Sequence, residues 1–345
     1  MGGVAFINKS FQELEYKDYS IISFNTSRGK ENEDLYAKRK WSSYIHFLKI
    51  FISFISFSIS NKYKIANIFV TSNIAFVRDV FFILWLKLLR KKIIIHFHSK
   101  KYGEFFLKKN RLKYLSFFLS RTNKIIVLSQ DHFNYFSQYF PVTKMKIIEN
   151  FIDYHLYECD LSIKLDEFLY VGRLSEKKGF FDLIEAVRIL KNSGIFVKIN
   201  IIGTPENENI DVQIKSLIKQ YELNNYFELY GFVDGEKKYN LYKRCKFFIF
   251  PSKFENSPVV IKEAIASKMA LIVSNIEANM NILKEYNNYV TFKVSDFNDI
   301  AKKIILLLDD NQKVNLMMND SSKILDYNKT VALKKIQAIF LELEK

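Results

Sequence analysis

The sequence predicts an α/β chain of two doubly wound domains, and three observations carry that prediction. A length of 345 residues is a prior for two domains. Short β-branched and aromatic runs alternate with longer amphipathic stretches, the rhythm of parallel sheets with helices on both faces. That rhythm runs twice, broken once by the polar segment DYHLYECDLSIKLDE at 153–167. The expected division is a domain over 1–160, a second over 161–328, and a helix over 329–345 packing back on the first.

The first half offers five strand candidates: YSIISF (19–24), KIANIFV (64–70), KKIIIHFHS (91–99), KIIVLS (124–129) and KMKIIEN (144–150). Amphipathic stretches at 35–60, 75–90, 105–121 and 130–140 lie between them. The second half offers FLYVG (168–172), VKINIIG (197–203), YFELYGF (226–232), KFFIFPS (246–252) and ALIVSN (270–275). Their nearly unbroken apolar character suits strands buried on both faces. The stretch YIHFLKIFISFISFSI at 44–59 is the best membrane-span candidate, but it contains Lys49 and falls short of the ~20 residues a span needs. Ser53, Ser56 and Ser60 give it one polar face, so a buried or interfacial helix is expected.

With 49% hydrophobic residues, 33 Phe and 20 Tyr, the chain is far from a disordered composition. The formal charge of +15 is unevenly placed: residues 1–165 hold 26 Lys and Arg against 13 acids, and residues 166–345 hold 26 against 24. A basic half fits nucleic acid, an anionic membrane face or phosphorylated substrates. Cys159 and Cys245 form no C-x-x-C, which disfavours a disulfide or thiolate–metal scaffold. The N-terminus lacks the charged lead and apolar core of a secretory signal.

In doubly wound folds, ligands sit at the carboxyl ends of strands. After the strand at 168–172 comes GRLSEKKG. Gly172 allows a tight exit, and Arg173 and Lys178 are two cations that a short loop could aim at one anion; the other reading is a solvated basic turn. After the strand at 246–252 comes FENSPVVIKEAIA, where Ser257 and Pro258 read as N-cap and first helical residue. A helix N-terminus there is an anion site. Glu255 and Glu263 are eight residues apart, ~12 Å along a helix, and too far for a hydrolytic carboxylate pair at ~5–9.5 Å. They fit acceptors for hydroxyls on one long ligand, or else solvated carboxylates. His96 and His98 share one strand face. A metal pair lacks further ligands at fitting spacing, so a structural histidine and a substrate-contacting His98 stay open. The chain has no D-x-D, no G-x-G-x-x-G and no Walker A motif.

The stretches FLYVGRLSEKKGFFDLIEAV, INIIGT, YFELYGFV, FFIFPSKFENSPVVIKEAIAS and ALIVSN resemble, in order and spacing, the family 4 glycosyltransferases, retaining enzymes of the GT-B fold. IIIHFHS, KIIVLS and IIENFID extend the resemblance over nearly the whole chain. It implies two Rossmann-like domains facing a cleft. It implies that Arg173 and Lys178 bind the donor diphosphate, that Glu263 takes the ribose hydroxyls, and that Glu255 and His98 face the transferred sugar. Asn256, Ser257 and Pro258 match the turn that approaches sugar and phosphate, and Gly2 and Gly3 match the Gly-rich loop after the first strand. The implied reaction moves a hexosyl or N-acetylhexosaminyl group from a nucleotide-diphosphate sugar, UDP-sugar foremost. The implied acceptor is a lipid-linked saccharide in surface-polysaccharide assembly (O-antigen or capsule), at the inner face of the cytoplasmic membrane. No metal or other cofactor is expected.

VFFILWLKLLRKK (80–92) interleaves apolar and cationic residues as a membrane-surface segment would. The alternatives are a GT-B nucleotide-sugar enzyme that is not a transferase, such as an epimerase, and a basic nucleic-acid-binding protein, for which no motif is present. The sequence departs from the family pattern in three places. Lys268 stands where a left-handed glycine usually ends the helix, Pro205 replaces a second glycine after Gly203, and Glu149 replaces a proline. No strand precedes Gly2 and Gly3, so a strand encoded upstream of Met1, or a truncated first strand, is expected.

Overall fold

The computed structural model describes residues 11–26 except 13 and 17, 41–70, 75–98, 119–319 except 285, 287 and 288, and 327–345. Gly2, Gly3, the question of a preceding strand, and most of the expected helix at 105–121 lie outside these residues. The chain divides into two compact units: Met1–Glu149 with Ala332–Lys345, and Asn150–Val331.

In the first unit, helix α1 (Trp41–Ser60) precedes strand β1 (Ile65–Val70), helix α2 (Ala75–Leu88) and strand β2 (Lys92–Phe97). Strand β3 (Lys124–Val127), helix α3 (Gln130–Phe136) and strand β4 (Met145–Ile147) follow. The strands pair in parallel in the order β1-β2-β3-β4. Ile93, Ile95 and Phe97 of β2 and Ile125 and Val127 of β3 are fully buried with Ile83 and Leu86 of α2. Ser129 caps α3, its Oγ accepting from the His132 amide at 3.2 Å. Ser53, Ser56 and Ser60 do lie on the exposed side of α1. No described helix is long and apolar enough to cross a membrane.

The strand expected at 19–24 is not one: this stretch joins no ladder. Side chains hold it instead. Phe24 packs on Phe54, Phe57 and Phe82, and Tyr19 stacks edge-on against Phe340 while its hydroxyl donates to Glu344. Ile21 and Ile22 stay exposed. The β-branched run reflects local composition, with no strand paired to it among the described residues.

The second unit holds a six-stranded parallel sheet in the order β10-β9-β8-β5-β6-β7. Its elements are β5 (Leu165–Val171), α4 (Phe180–Asn192), β6 (Ile199–Ile202), α5 (Glu208–Gln220), β7 (Phe227–Gly231), α6 (Glu236–Arg244), β8 (Cys245–Phe250), α7 (Val259–Ala266), β9 (Ala270–Ser274), α8 (Glu277–Leu283), β10 (Tyr289–Phe292), α9 (Phe297–Asp309) and α10 (Asn311–Asn319). Strand β5 starts three residues earlier than the apolar run suggests. Lys164 is the cause: its Nζ donates to the carbonyls of Tyr242 and Cys245, at 2.9 and 2.8 Å, and ties the polar segment to β8. Burial pushes that ammonium down to about 8. Alternate residues of β5 feed two cores. Phe168 and Tyr170 pack with Phe180 and Leu183 of α4, while Leu169 and Val171 pack with Ile261 and Ala264 of α7.

The chain runs from β5 outward through β6 to β7, then returns to the other side of β5 as β8. The order therefore reverses between β5 and β8, and the crevice outside their carboxyl ends is where such sheets bind ligands. Helix α11 (Lys329–Glu344) closes the chain, with Glu342 paired to Lys124.

At the end of α7 the amide of Lys268 donates to Ile265 and that of Met269 to Ala264, at 2.8 and 3.0 Å. This is a Schellman closure with a lysine in the left-handed position, φ 52°. A Cβ there is strained by ~1 kcal/mol or more. Lys268→Gly is therefore expected to stabilise the protein by about 0.5–1 kcal/mol, read as a higher urea midpoint with an unchanged slope.

Candidate functional site

The sequence after β5 turns sharply. Tyr170 donates its hydroxyl to the Arg173 carbonyl at 2.9 Å, and Leu174 bridges to the Thr204–Glu206 backbone beyond β6. Pro205 sits in that bridge, which accommodates the departure at this position. Gly179, at φ 66°, then opens α4. A Cβ on Gly179 would lie 1.9 Å from the Pro251 carbonyl oxygen, so only glycine lets the loop after β5 press against the loop after β8.

The two loops are joined by more than contact. The Lys253 amide donates to the Lys177 carbonyl at 2.9 Å. The Lys253 ammonium pairs with Glu176 and, at 3.0 Å, with Asp182. Lys178 pairs with Glu255. Arg173 is exposed and has no ion pair among the described residues. Beneath the loop after β8, Ser274 donates to the Ser252 carbonyl, and buried Asn279 donates to Ser274 O and Oγ at 2.9 and 3.0 Å.

Helix α7 begins one residue later than expected. Pro258, not Ser257, is the N-cap, and no side chain caps the first turn. A proline at the cap cannot accept through a side chain, so the N–H groups of Val259 and the next residues stay without an intrahelical acceptor. The Ser257 carbonyl instead accepts from Asn150 Nδ2 at 3.0 Å, and the Asn150 carbonyl accepts from buried Lys262 Nζ at 2.7 Å.

Glu263 is 1% exposed. Its Oε1 accepts from Tyr157 Oη and Lys238 Nζ, both at 2.6 Å, and its Oε2 from Tyr242 Oη at 2.7 Å. Burial and the adjacent carboxylate hold the Tyr157 hydroxyl far above its ordinary value, and Tyr242 behaves alike. Both phenols are fixed donors. Glu255 and Glu263 thus hold different partners, Lys178 for one and the buried network for the other, in keeping with two carboxylates doing separate work.

The structure brings Gly172, Arg173, Lys178, Glu255, Asn256, Ser257 and Pro258 onto two adjoining strand-end loops. His98 belongs to the other unit, just beyond β2, where its ring stacks on Phe69 at 5.4 Å and on His96 at 6.2 Å. Burial, with His132 nearby, pushes His98 down to about 4. Burial and His98 push His96 well below the ordinary range. Gly2 and Gly3 lie outside the described residues. Sequence reading missed Tyr157, Lys238 and Tyr242. The one trace was Lys238 and Tyr242 four apart on α6, on one helix face.

The fold and the site together have close parallels. Residues 162–323 match the family model of the glycosyl transferases group 1. That match lies over the second sheet, and the two parallel sheets share the GT-B architecture of solved glycosyltransferase structures. Among solved structures, Anabaena HepE in complex with UDP and glucose superposes with a TM-score of 0.70 at 17% identity, covering 85% of this chain and 81% of that one. The capsular polysaccharide biosynthesis glycosyltransferase CapH of Staphylococcus aureus is 24% identical over 97% of this chain and 93% of its own. The N,N'-diacetylbacillosaminyl-diphospho-undecaprenol alpha-1,3-N-acetylgalactosaminyltransferase of Campylobacter jejuni is 24% identical over 50% of this chain and 43% of its own. The chain spans half or less of the length of the first curated relatives it matches. Arg173, Lys178, Glu255 and Glu263 all fall inside the matched stretch.

Removing one partner from a buried ion pair leaves an uncompensated charge. Lys238→Met is expected to cost about 3–5 kcal/mol, measured by urea denaturation, with Lys238→Arg losing less. His98 works through pH. Its folded value lies below the unfolded one near 6.5, so its stabilisation is complete above pH 6.5 and is lost as pH falls toward 4. Between pH 7.5 and 5 this amounts to ~2 kcal/mol from His98 alone. His98→Phe should flatten that part of the stability–pH curve.

Proposed function

We propose that this chain is a retaining glycosyltransferase of family 4 that moves a sugar from a nucleotide-diphosphate donor, UDP-sugar foremost, to a lipid-linked saccharide. The setting is capsule-like or O-antigen-like surface-polysaccharide biosynthesis at the inner face of the cytoplasmic membrane. The observation that carries this reading is the convergence of Arg173, Lys178 and the uncapped start of α7 on the carboxyl ends of β5 and β8, inside a domain matching group 1 glycosyltransferases. The names of CapH and of the Campylobacter transferase support the polysaccharide and lipid-linked parts, and the UDP complexes of HepE support the donor.

The diphosphate gains charge as the glycosidic bond breaks. Cations and N–H groups already in place oppose that charge without reorganisation. Arg173 offers a forked grip and Lys178 a point charge. Glu255 holds Lys178 in the ligand-free chain and, once the diphosphate claims that ammonium, is available to a sugar hydroxyl. Glu263 has one donor on Oε2, which leaves acceptor capacity for a ribose hydroxyl, while its network fixes α7. The acceptor hydroxyl attacks the face the leaving group departs from, and its proton passes to the departing phosphate oxygen, so configuration is retained. With two side-chain cations on the diphosphate, the transfer proceeds without a metal.

Arg173→Ala and Lys178→Ala are each expected to lower kcat/KM by about 10²–10³ while leaving the unfolding midpoint unchanged. Turnover is read as UDP released from a UDP-sugar panel with a polyprenyl-diphosphate saccharide. Near-normal turnover by both variants, or loss with EDTA and recovery with Mg²⁺, would defeat the electrostatic account.

A further inference from the structure

Helix α2 reverses the usual arrangement of a surface helix, which turns its polar side outward. Among its residues 78–88 the exposed positions are Phe81, Leu84 and Leu88, at 45, 39 and 71% exposure, and all three are apolar. Their spacing of three and four places them on one face. Phe81 meets Phe47 and Phe51 of α1, with ring centroids 6.0 and 5.9 Å apart, so the apolar face continues onto the neighbouring helix. There Leu48, Ile52 and Ile59 are more than half exposed. At 100° per residue they fall within about 40° of one another, with Lys49, Ser53, Ser56 and Ser60 beyond them. An exposed apolar patch of this kind on two helices marks an interaction surface.

The surrounding charge selects the occupant. Residues 41–98 contain eight Lys and Arg and a single acid, Asp79. Asp79 is 2% exposed and is paired with Arg78. Lys62, Lys64, Arg90 and Lys92 lie exposed at the carboxyl ends of the two helices and the starts of β1 and β2. A second copy of this chain would bring like charges together. Lys64 lies 4.0 Å from Glu344, while Lys62, Arg90 and Lys92 have no ion pair among the described residues, and an apolar face flanked by such cations matches an anionic lipid surface.

We propose that the outer face of α1 and α2 is a membrane-docking surface. Phe81, Leu84, Leu88 and the Leu48–Ile59 stripe enter the headgroup–acyl boundary, and the four terminal cations lie on anionic headgroups. The proposal deepens the membrane-side setting given above and rests on it. It concerns binding, however, so it is tested without turnover.

The test is co-sedimentation of the full chain with phosphatidylcholine vesicles, with and without about 30% phosphatidylglycerol, at ~0.1 M salt. The parent is expected to bind the anionic vesicles and to release as salt rises. Leu84→Asp/Leu88→Asp, both at exposed positions, should bind at least ~10-fold more weakly. Lys62→Glu/Arg90→Glu/Lys92→Glu should lose the preference for anionic lipid. Circular dichroism and UDP release in the absence of vesicles check that the variants fold and separate this outcome from the transferase reading. Equal binding by parent and Leu84→Asp/Leu88→Asp, or no binding to anionic vesicles, overturns the proposal. So does a dimer that Leu84→Asp/Leu88→Asp breaks into monomers, which would assign the face to a second copy.

Discussion

The second unit depends on how closely its strand-end loops approach one another. Gly179 meets the Pro251 carbonyl, and Gly203 meets the Gly172 carbonyl, at distances where a Cβ would lie within 2 Å of an oxygen. Loops after β5, β6 and β8 therefore lock together through backbone, with no side chain between them. Once they are locked, Lys253 can reach both Glu176 and Asp182, and Lys178 can reach Glu255. Lys178 and Lys253 are held by the same approach that forms the crevice. A switch point gives the location, and these glycine contacts give it dimensions.

Behind the loops the site is held by a second, drier layer. Glu263 collects a lysine and two phenols, and Asn150, Lys262 and Ser257 link the start of α7 to the stretch that opens the unit. Buried polar groups are worth keeping only when satisfied, and both oxygens of Glu263 on α7 accept from donors on two other elements, the 154–157 turn region and α6. The first turn of α7 is left uncapped while its interior is anchored. The N–H groups of that first turn stay open, as the proposed anion-binding role requires.

Much of this was legible in the sequence because it is local. Apolar runs located every described strand from 64 onward except β10, an edge strand in which only Val290 and Phe292 are buried and Thr291 breaks the apolar run. R-x4-K after one strand and S-P after another located the two loops. The strand expected at 19–24 failed because β-propensity reports fitness for a half-buried surface, not the presence of a pairing partner. The cap moved from Ser257 to Pro258 by one residue, within the usual fraying of helix ends. Tyr157, Lys238 and Tyr242 stayed hidden for another reason. They lie 106, 25 and 21 positions from Glu263, and no periodicity links residues that only the folded sheet brings together. Lys268 shows the reverse: the missing glycine was visible, but that the chain keeps the left-handed turn regardless is a property of the packed helix end.

The four-residue network around Glu263 also constrains how this domain can change over evolutionary time. Tyr157, Lys238 and Tyr242 share one acceptor, so the effect of altering any of them depends on which others remain. A lineage that loses the lysine gains little by keeping both phenols as they are, and one that neutralises Glu263 removes the reason for all three. These positions are energetically coupled, so the cost of replacing one depends on which of the others are kept.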